Sequence, residues 1–272
     1  MTSLFYCPIC AAPLERVERT YICPNRHCYD VAKEGYVNLL PANKKHAKDP
    51  GDDKEMAAAR TRFLDGGHYA PLRDALCKLV GERKPGVLLD SGCGEGYYTE
   101  GICKALWEND PGVRVAGVDL SRSALKKAAR REKNAEFAVA SVYHLPVEDG
   151  IVDVLLNCFS PLALEEFRRV LRSGGTYLYV VPGAKHLWEL KQVLYDEPYE
   201  NKEEETAYEG FACEGIVPVD FTMDLNASAL QDLFRMTPYY WKTPKSGSER
   251  LAALEHLAVT ASFRVHIFSK IS

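Results

Sequence analysis

From Gly86 onward, apolar residues come in short unbroken runs, separated by longer stretches in which they recur every three or four positions. The runs GVLLD (86–90), VRVAGVD (113–119), AEFAVA (135–140), IVDVLLN (151–157) and TYLYVV (176–181) have the length and β-branched content of strands. Residues 97–108, 121–132, 163–171 and 185–195 carry the spacing of amphipathic helices. Strands alternating with helices of this length predict an α/β fold with a mostly parallel, doubly wound sheet. Two later runs, IVPVDFTMD (216–224) and ASFRVHIF (261–268), predict further strands, the second as an antiparallel edge. Upstream, residues 55–82 show helical periodicity broken around Gly66-Gly67 and Pro71. The polar stretch PANKKHAKDPGDDK (41–54) has two prolines and reads as a linker, and KEEE (202–205) as a solvated face. Residues 1–38 are dense in cysteine, proline and aromatics. The chain therefore divides into a small module at 1–38, a linker and helical lead-in at 39–84, and an α/β domain at 85–272.

The length of 272 residues suits one large domain with an appendage. Hydrophobic residues make up 46% of the chain and charged ones 26%, which supports a substantial core. No apolar run approaches the roughly 18 residues that a bilayer span needs, so no membrane partner is expected. Met1–Cys10 lacks a basic segment followed by a long apolar one, which points to the cytoplasm. Four of the nine cysteines (Cys7, Cys10, Cys23, Cys28) crowd the first 28 residues. A disulfide scaffold would spread pairs along the chain; clustering at one end points to a metal. The net charge of −4 is unevenly spread: residues 1–84 hold 14 Lys and Arg against 11 Asp and Glu, and the remainder 20 against 27. That small basic excess at the front is compatible with nucleic acid but does not establish it.

Cys7-x2-Cys10 and Cys23-x3-His27, with Cys28 adjacent, flank a twelve-residue stretch whose ERVERTYI alternates like a hairpin. Two close pairs across a hairpin match structural Zn²⁺ sites, in which four ligands converge tetrahedrally. Cys7, Cys10 and Cys23 plus either His27 or Cys28 complete such a set, with His27 favoured. So small a module would draw much of its folding energy from the metal.

The segment VLLDSGCGEGYYT (87–99) carries the other strong signal. An apolar strand ends in Asp90, and Gly92, Gly94 and Gly96 then lead into a helix. Such glycines allow tight turning and close approach to a ligand, and the helix start offers free N–H groups. The dinucleotide fingerprint needs a small residue where Tyr97 stands, so a dehydrogenase reading ranks low. The acid before the turn and Asp119 closing the next strand fit S-adenosylmethionine better. An acid at that strand end is placed to accept hydrogen bonds from ribose hydroxyls. A structural turn without ligand is the bland alternative. Ala140-Ser141-Val142, after the third strand, falls where such folds meet adenine, without the acid that many have there. Asn157-Cys158-Phe159-Ser160-Pro161 after the fourth strand loosely resembles the N/D-P-P-Y motif of enzymes that methylate base nitrogens; it also reads as a plain strand-to-loop transition.

Taken together, the chain resembles the RlmA (RrmA) family of 23S rRNA guanine-N1 methyltransferases. The matching stretches are CPIC, CPNRH, AKEGYVNLLP (32–41), DPGD (49–52), GHYAPLRDAL (67–76), LDSGCGEGYYT (89–99), FSP (159–161), EEFRRVLRSGG (165–175), PGAKHLWELK (182–191) and MTP (236–238), in order along nearly the whole chain. The resemblance implies zinc on Cys7, Cys10, Cys23 and His27, leaving Cys28 a bystander. It implies S-adenosylmethionine contacts at Gly94 and Glu95, with Tyr69 and His186 lining the pocket; alone, either of these would more often be a packed residue. It also implies a 23S rRNA hairpin-loop guanine as acceptor, an RNA-gripping role for the zinc module, and a homodimer. The FSP and EEFRRVLRSGG wording points to the Gram-positive branch, associated with resistance to macrolides such as tylosin.

The methyl group of a sulfonium is already activated, so the protein's main task is alignment. Guanine N1 carries a proton that must leave, yet the sequence identifies no base; Asn157 and Asp65 are only weak candidates. Phe159, Tyr97 and Tyr98 are candidate stacking rings for an unstacked base, or core. Arg16, Arg19, Arg26, Lys33, Lys44, Lys45 and Lys48 are candidate phosphate contacts, or a solvated face. Two alternatives stand beside this reading: a small-molecule methyltransferase, disfavoured by the zinc module, and a non-enzymatic zinc RNA-binding protein, disfavoured by the intact glycine turn and Asp119.

Overall fold

The computed structural model describes residues 2–41, 54–203 and 206–271. Lys44, Lys45, Lys48, DPGD, most of the linker and part of KEEE lie outside the described residues. Strands β1 (Thr2–Tyr6), β2 (Pro13–Val17), β3 (Thr20–Ile22) and β4 (Cys28–Asp30) form a small antiparallel sheet in that order. The chain then enters the large sheet directly: β5 (Val37–Asn38) pairs parallel to the later strand β8 (Glu136–Val139).

Helix α1 (Lys54–Asp65) and helix α2 (Ala70–Arg83) follow, separated at Gly66-Gly67 with Pro71 in the first turn of α2, where the sequence placed the break. The α/β alternation then runs β6 (Val87–Ser91), α3 (Tyr97–Trp107), β7 (Arg114–Asp119), α4 (Arg122–Arg131), β8, β9 (Val152–Cys158), α5 (Leu164–Val170), β10 (Leu171–Pro182) and α6 (Trp188–Leu194). The chain ends with β11 (Phe211–Asn226), α7 (Ala227–Met236), α8 (Lys245–Ala252) and β12 (His256–Lys270). The large sheet has eight strands in the order β11-β12-β10-β9-β6-β7-β8-β5. All neighbours from β10 to β5 are parallel; β12 and β11 are antiparallel. The direction of winding reverses between β6 and β9, and in open α/β sheets ligands bind at the carboxyl ends of the strands at such a switch point.

The run expected to be an edge strand lies instead inside the sheet, as β12. Val259, Ala261, Phe263 and Val265 on one face of it and Ser262, His266 and Phe268 on the other are all buried, and β10 and β11 pair with its two edges. The edge falls to β11, which alternates half-buried and exposed residues and carries Pro218, a residue without a donor to offer a further neighbour.

The two faces of the sheet are covered differently. Helices α1–α4 and α6–α8 close one core, with Phe63, Leu76, Ile102, Leu125, Leu190 and Leu233 buried in it. On the other face, Leu4, Phe5, Leu14 and Tyr21 of the small sheet pack with Leu89, Ala116, Val118 and Ala138 of the large one, beside Phe167 of α5. Polar contacts lock this docking. Glu136 on β8 accepts hydrogen bonds from the Leu4 N–H (3.0 Å) and the Tyr21 hydroxyl (3.2 Å), and also from the Ser3 hydroxyl. Arg114 donates to the Thr2 carbonyl (2.9 Å), and the Tyr6 N–H to the Pro146 carbonyl (2.7 Å).

Candidate functional site

The apolar strand β6 drives Asp90 into the core at the switch point. Its Oδ2 accepts from Thr99 Oγ1 at 2.6 Å, a hydroxyl in the first turn of α3. Among the described residues its Oδ1 has no partner, nor do the nearby buried hydroxyls Ser91 Oγ and Ser160 Oγ. Burial, opposed by the Thr99 hydrogen bond and reinforced by the charge of Asp119, pushes the Asp90 carboxyl up to about 7. A buried acid with an unused oxygen suits a cationic ligand, and S-adenosylmethionine carries both a sulfonium and an ammonium.

Gly92, Gly94 and Gly96 all have left-handed φ values, of 82°, 54° and 76°. At Gly96 a Cβ would lie 2.9 Å from Ala128 Cα on α4, so helix and turn interlock only with glycine there. At Gly92 it would collide with Ser160, so the loop after β9 sits directly on the turn. At Gly94 it would meet nothing, which leaves that backbone open to a ligand. Asp119 accepts from the N–H groups of Gly94 (2.9 Å) and Ser121 (2.7 Å), tying the turn to the end of β7.

Glu95 is buried, but its carboxylate is engaged. It accepts from Arg131 (2.8 Å) and Thr61 (2.5 Å) and lies 3.7 Å from Lys127, bracing α1 against α4. Tyr69, buried at the start of α2, meets Phe63, Phe221 and Phe263 edge-on, and its ring centroid is 6.5 Å from that of His186. His186 is buried and accepts the Ser262 N–H at Nδ1 (3.1 Å). Burial first and the Lys191 charge second pull its pKa down to about 3, so the ring is neutral. With Nδ1 occupied as an acceptor, the proton sits on Nε2, which makes His186 a donor and not a base.

Beside it Phe263 links to Phe159, with centroids 5.5 Å apart, and Phe159 to Tyr98 at 6.5 Å. Phe159 is 50% exposed and holds a left-handed φ of 56°, a costly conformation that its neighbours must maintain. Asn157, fully buried, does so: its side chain donates to the Pro161 carbonyl (2.9 Å) and accepts from the Ser160 N–H (3.3 Å). Asp65 pairs with Arg131 at 2.6 Å. Tyr97 is buried, with the Arg73 guanidinium 5.4 Å from its ring centre.

No local pattern marks Phe263 or Phe221 as part of this region, and Thr99 and Ser160 stand in their motifs without a role of their own; the alternation of β12 and the hydroxyl in the first turn of α3 are the available hints. Glu136 leaves no local signal either, because its partners in the small sheet are more than a hundred residues away. Lys191 was quoted only inside a motif. It is fully buried, donates to the Tyr199 carbonyl (2.9 Å) and Asn201 Oδ1 (2.7 Å), and fastens that segment to the turn bearing His186.

In the small sheet, turns with left-handed residues at Ala11 (φ 51°) and Arg26 (φ 63°) fold two knuckles towards each other. The ligand atoms of Cys7, Cys10, Cys23 and His27 lie within 4.8 Å of one another. Cys7 Sγ and Cys23 Sγ are each 3.4 Å from His27 Nδ1, and Cys10 Sγ is 3.7 Å from Cys23 Sγ. A tetrahedral zinc with bonds of about 2.3 Å to sulfur and 2.0 Å to nitrogen needs edges of roughly 3.5–3.8 Å, so the set fits. Hydrogen bonds from Asn25 and the Ala12 backbone hold the Cys10 thiol down at about 6, favouring the thiolate a metal requires. Cys28 is exposed and turned to the Arg26 carbonyl (3.5 Å), outside the cluster.

Comparison with known proteins adds two family matches. Residues 5–48 match the RlmA N-terminal zinc ribbon, and residues 88–175 match a methyltransferase domain. A 23S rRNA (guanine(748)-N(1))-methyltransferase of Streptomyces fradiae is 37% identical over 91% of this chain and 90% of its own. Relatives from Bacillus subtilis (strain 168), 32% identical over 98% of each chain, and Micromonospora griseorubida, 34% identical over 95% of each, bear 23S rRNA (guanine-N1)-methyltransferase as a provisional name.

Proposed function

This chain belongs to the 23S rRNA (guanine-N1)-methyltransferases that carry an RlmA-type zinc ribbon, and from that premise we propose how its residues divide the work. It is an S-adenosylmethionine-dependent methyltransferase, with zinc in its ribbon and 23S rRNA as acceptor. The finer reading is ours. The target is the guanine corresponding to position 748 in the name of the Streptomyces fradiae relative. The domains divide at 38/39 and 84/85, the enzyme works in the cytoplasm as a homodimer, and its product alters tylosin susceptibility. No helix among the described residues is long and apolar enough to cross a membrane.

The observation that carries the site assignment is the seating of the Phe159–Pro161 loop on the glycine turn, with Ser160 filling the space a Gly92 side chain would need. That contact puts the exposed Phe159 ring at the rim of the cofactor turn. In this reading Cys7, Cys10, Cys23 and His27 hold zinc. Gly94 opens the backbone to the methionine moiety, Gly92 and Gly96 let the turn close against Ser160 and Ala128, Asp90 faces the cofactor's positive charge, and Asp119 takes the ribose. Tyr69 walls the pocket, and Glu95 shapes the turn through its ion pairs. His186, proton on Nε2, donates to an acceptor such as the cofactor carboxylate. S-adenosylmethionine supplies the methyl group as an activated sulfonium. The chain's own contribution is alignment: Phe159 stacks the unstacked guanine and Asn157 holds the strained loop that presents that ring.

The test is transfer of label from S-adenosylmethionine to unmodified 23S rRNA hairpin fragments, with reverse-transcription stops mapping the methyl group. A single stop at the guanine equivalent to 748 is expected, absent with Phe159→Ala at unchanged cofactor affinity. Cofactor binding without label on any rRNA fragment overturns the assignment.

A further inference from the structure

Helix α4 concentrates charge of one sign on one face. Its ten residues, RSALKKAARR, hold five basic side chains and no acid, in a chain whose net charge is −4. Leu125, Ala128 and Ala129 turn inward, which leaves Arg122, Lys126 and Arg130 exposed at intervals of four. Residues four apart on a helix share a face and rise about 6 Å per step, the scale of the gap between successive phosphates of one nucleic-acid strand. Lys127 and Arg131, on the neighbouring flank, are occupied with Glu95, Asp65 and Glu100. Glu34 is the acid that reaches the stripe, pairing with Arg130 at 3.1 Å; among the described residues no ion pair forms at Arg122 or Lys126.

The stripe has a direction. It starts three residues after Asp119, at the carboxyl end of β7, where the cofactor turn lies. It ends at Arg130, against Glu34 in the turn between β4 and β5, where the small sheet joins the large one and Lys33 is exposed. Helix geometry therefore lays a basic track of about 12 Å from the rim of the cofactor site to the foot of the zinc ribbon.

We propose that Arg122, Lys126 and Arg130 form a phosphate track that guides the substrate RNA strand between ribbon and active site. The inference rests on the rRNA reading above and adds a surface to it. The track reads backbone and not bases, so it contributes affinity and salt dependence without sequence preference.

The experiment compares the full-length zinc-loaded protein with Arg122→Gln/Lys126→Gln, by fluorescence anisotropy on a labelled, unmodified 23S rRNA hairpin transcript across 50–300 mM salt. Arg130 is left intact because its pairing with Glu34 also braces the domain junction. A control, Lys242→Gln/Lys245→Gln, removes two exposed charges beside α8, at the β12 end of the sheet. Loss of two phosphate contacts lowers the slope of log affinity against log salt by about 1.4 and weakens binding on the order of tenfold at low salt. Melting temperature and S-adenosylmethionine affinity stay at wild-type values in both variants. A track variant that binds with wild-type affinity and slope overturns the proposal, as does a control that loses as much. A wild-type protein that binds S-adenosylmethionine but not the hairpin overturns the rRNA reading itself, and the track with it.

Discussion

The two faces of the large sheet are covered by different materials. One is closed by seven helices, whose amphipathic stripes bury Leu76, Ile102, Leu125, Leu190 and Leu233. The other is closed by α5 and by a small cysteine-rich sheet whose Leu4, Phe5 and Tyr21 lie in the same core as Leu89 and Val118. The helical face is held by that buried area together with ion pairs such as Arg62 with Asp232 and Glu95 with Arg131. The ribbon face adds the hydrogen bonds collected by Glu136 and four side chains gathered as a metal site. Fewer than forty residues cannot supply a large apolar core, so metal and docking together take its place. The zinc ribbon in this molecule is therefore a layer of the large domain's core as well as a metal site.

The comparison is open to attack from either side. Phe5→Ala removes a fully buried ring from the ribbon face; if that face is core, the whole protein loses about 3–5 kcal/mol in denaturant unfolding. A loss under 1 kcal/mol would mark the ribbon as a loosely tethered appendage. On the helical face, Gly96→Ala places a methyl group against Ala128 at a left-handed position and costs about 2–4 kcal/mol. Isothermal titration should show S-adenosylmethionine binding largely abolished with it.

Asp90 tests the sheet between the faces. Its carboxyl, pushed up by burial to about 7, lies well above the ordinary aspartate range near 3.8, so the folded state favours the proton. Its stabilising contribution is complete below about pH 4 and is lost as pH rises to 7, at about 1 kcal/mol per unit. Asp90→Asn flattens that part of the profile in the absence of ligand. Because a cationic ligand favours the ionised acid, S-adenosylmethionine raises the wild-type melting temperature more at pH 8 than at pH 5.5. Equal shifts at both pH values would remove Asp90 from the cofactor site. The smallest effect belongs to Cys28→Ser, which leaves zinc content unchanged and stability within about 0.5 kcal/mol, since Cys28 lies outside the cluster.

The helical face was the more legible in the sequence. Periodicity placed β6 to β9 and α3 to α5 to within a residue or two, because each element carries its own pattern of burial. The knuckles were legible too, since ligand spacing is local, but the choice of His27 over Cys28 needed the turn that points Cys28 at the Arg26 carbonyl, outside the cluster. Two kinds of feature were hidden. The segment 227–252, with α7 and α8, drew no helical expectation, although Asn226 caps α7 with its side chain accepting from the Ala229 N–H. The docking of ribbon on sheet depends on pairs such as Glu136 with Tyr21, 115 residues apart, which no local pattern encodes. Asn157 is the local counterpart: its partners Ser160 and Pro161 lie only three and four residues on, yet its bracing of the Phe159 loop shows only in the hydrogen bonds themselves.

The most direct test is stepwise zinc removal with a chelator, following thermal unfolding and S-adenosylmethionine affinity on the same samples. The account predicts one transition that moves down as zinc leaves, with cofactor affinity falling in proportion to the metal lost. Metal-free protein that keeps its melting temperature and its affinity for S-adenosylmethionine would contradict it, and the ribbon would then be an appendage to an enzyme complete without it.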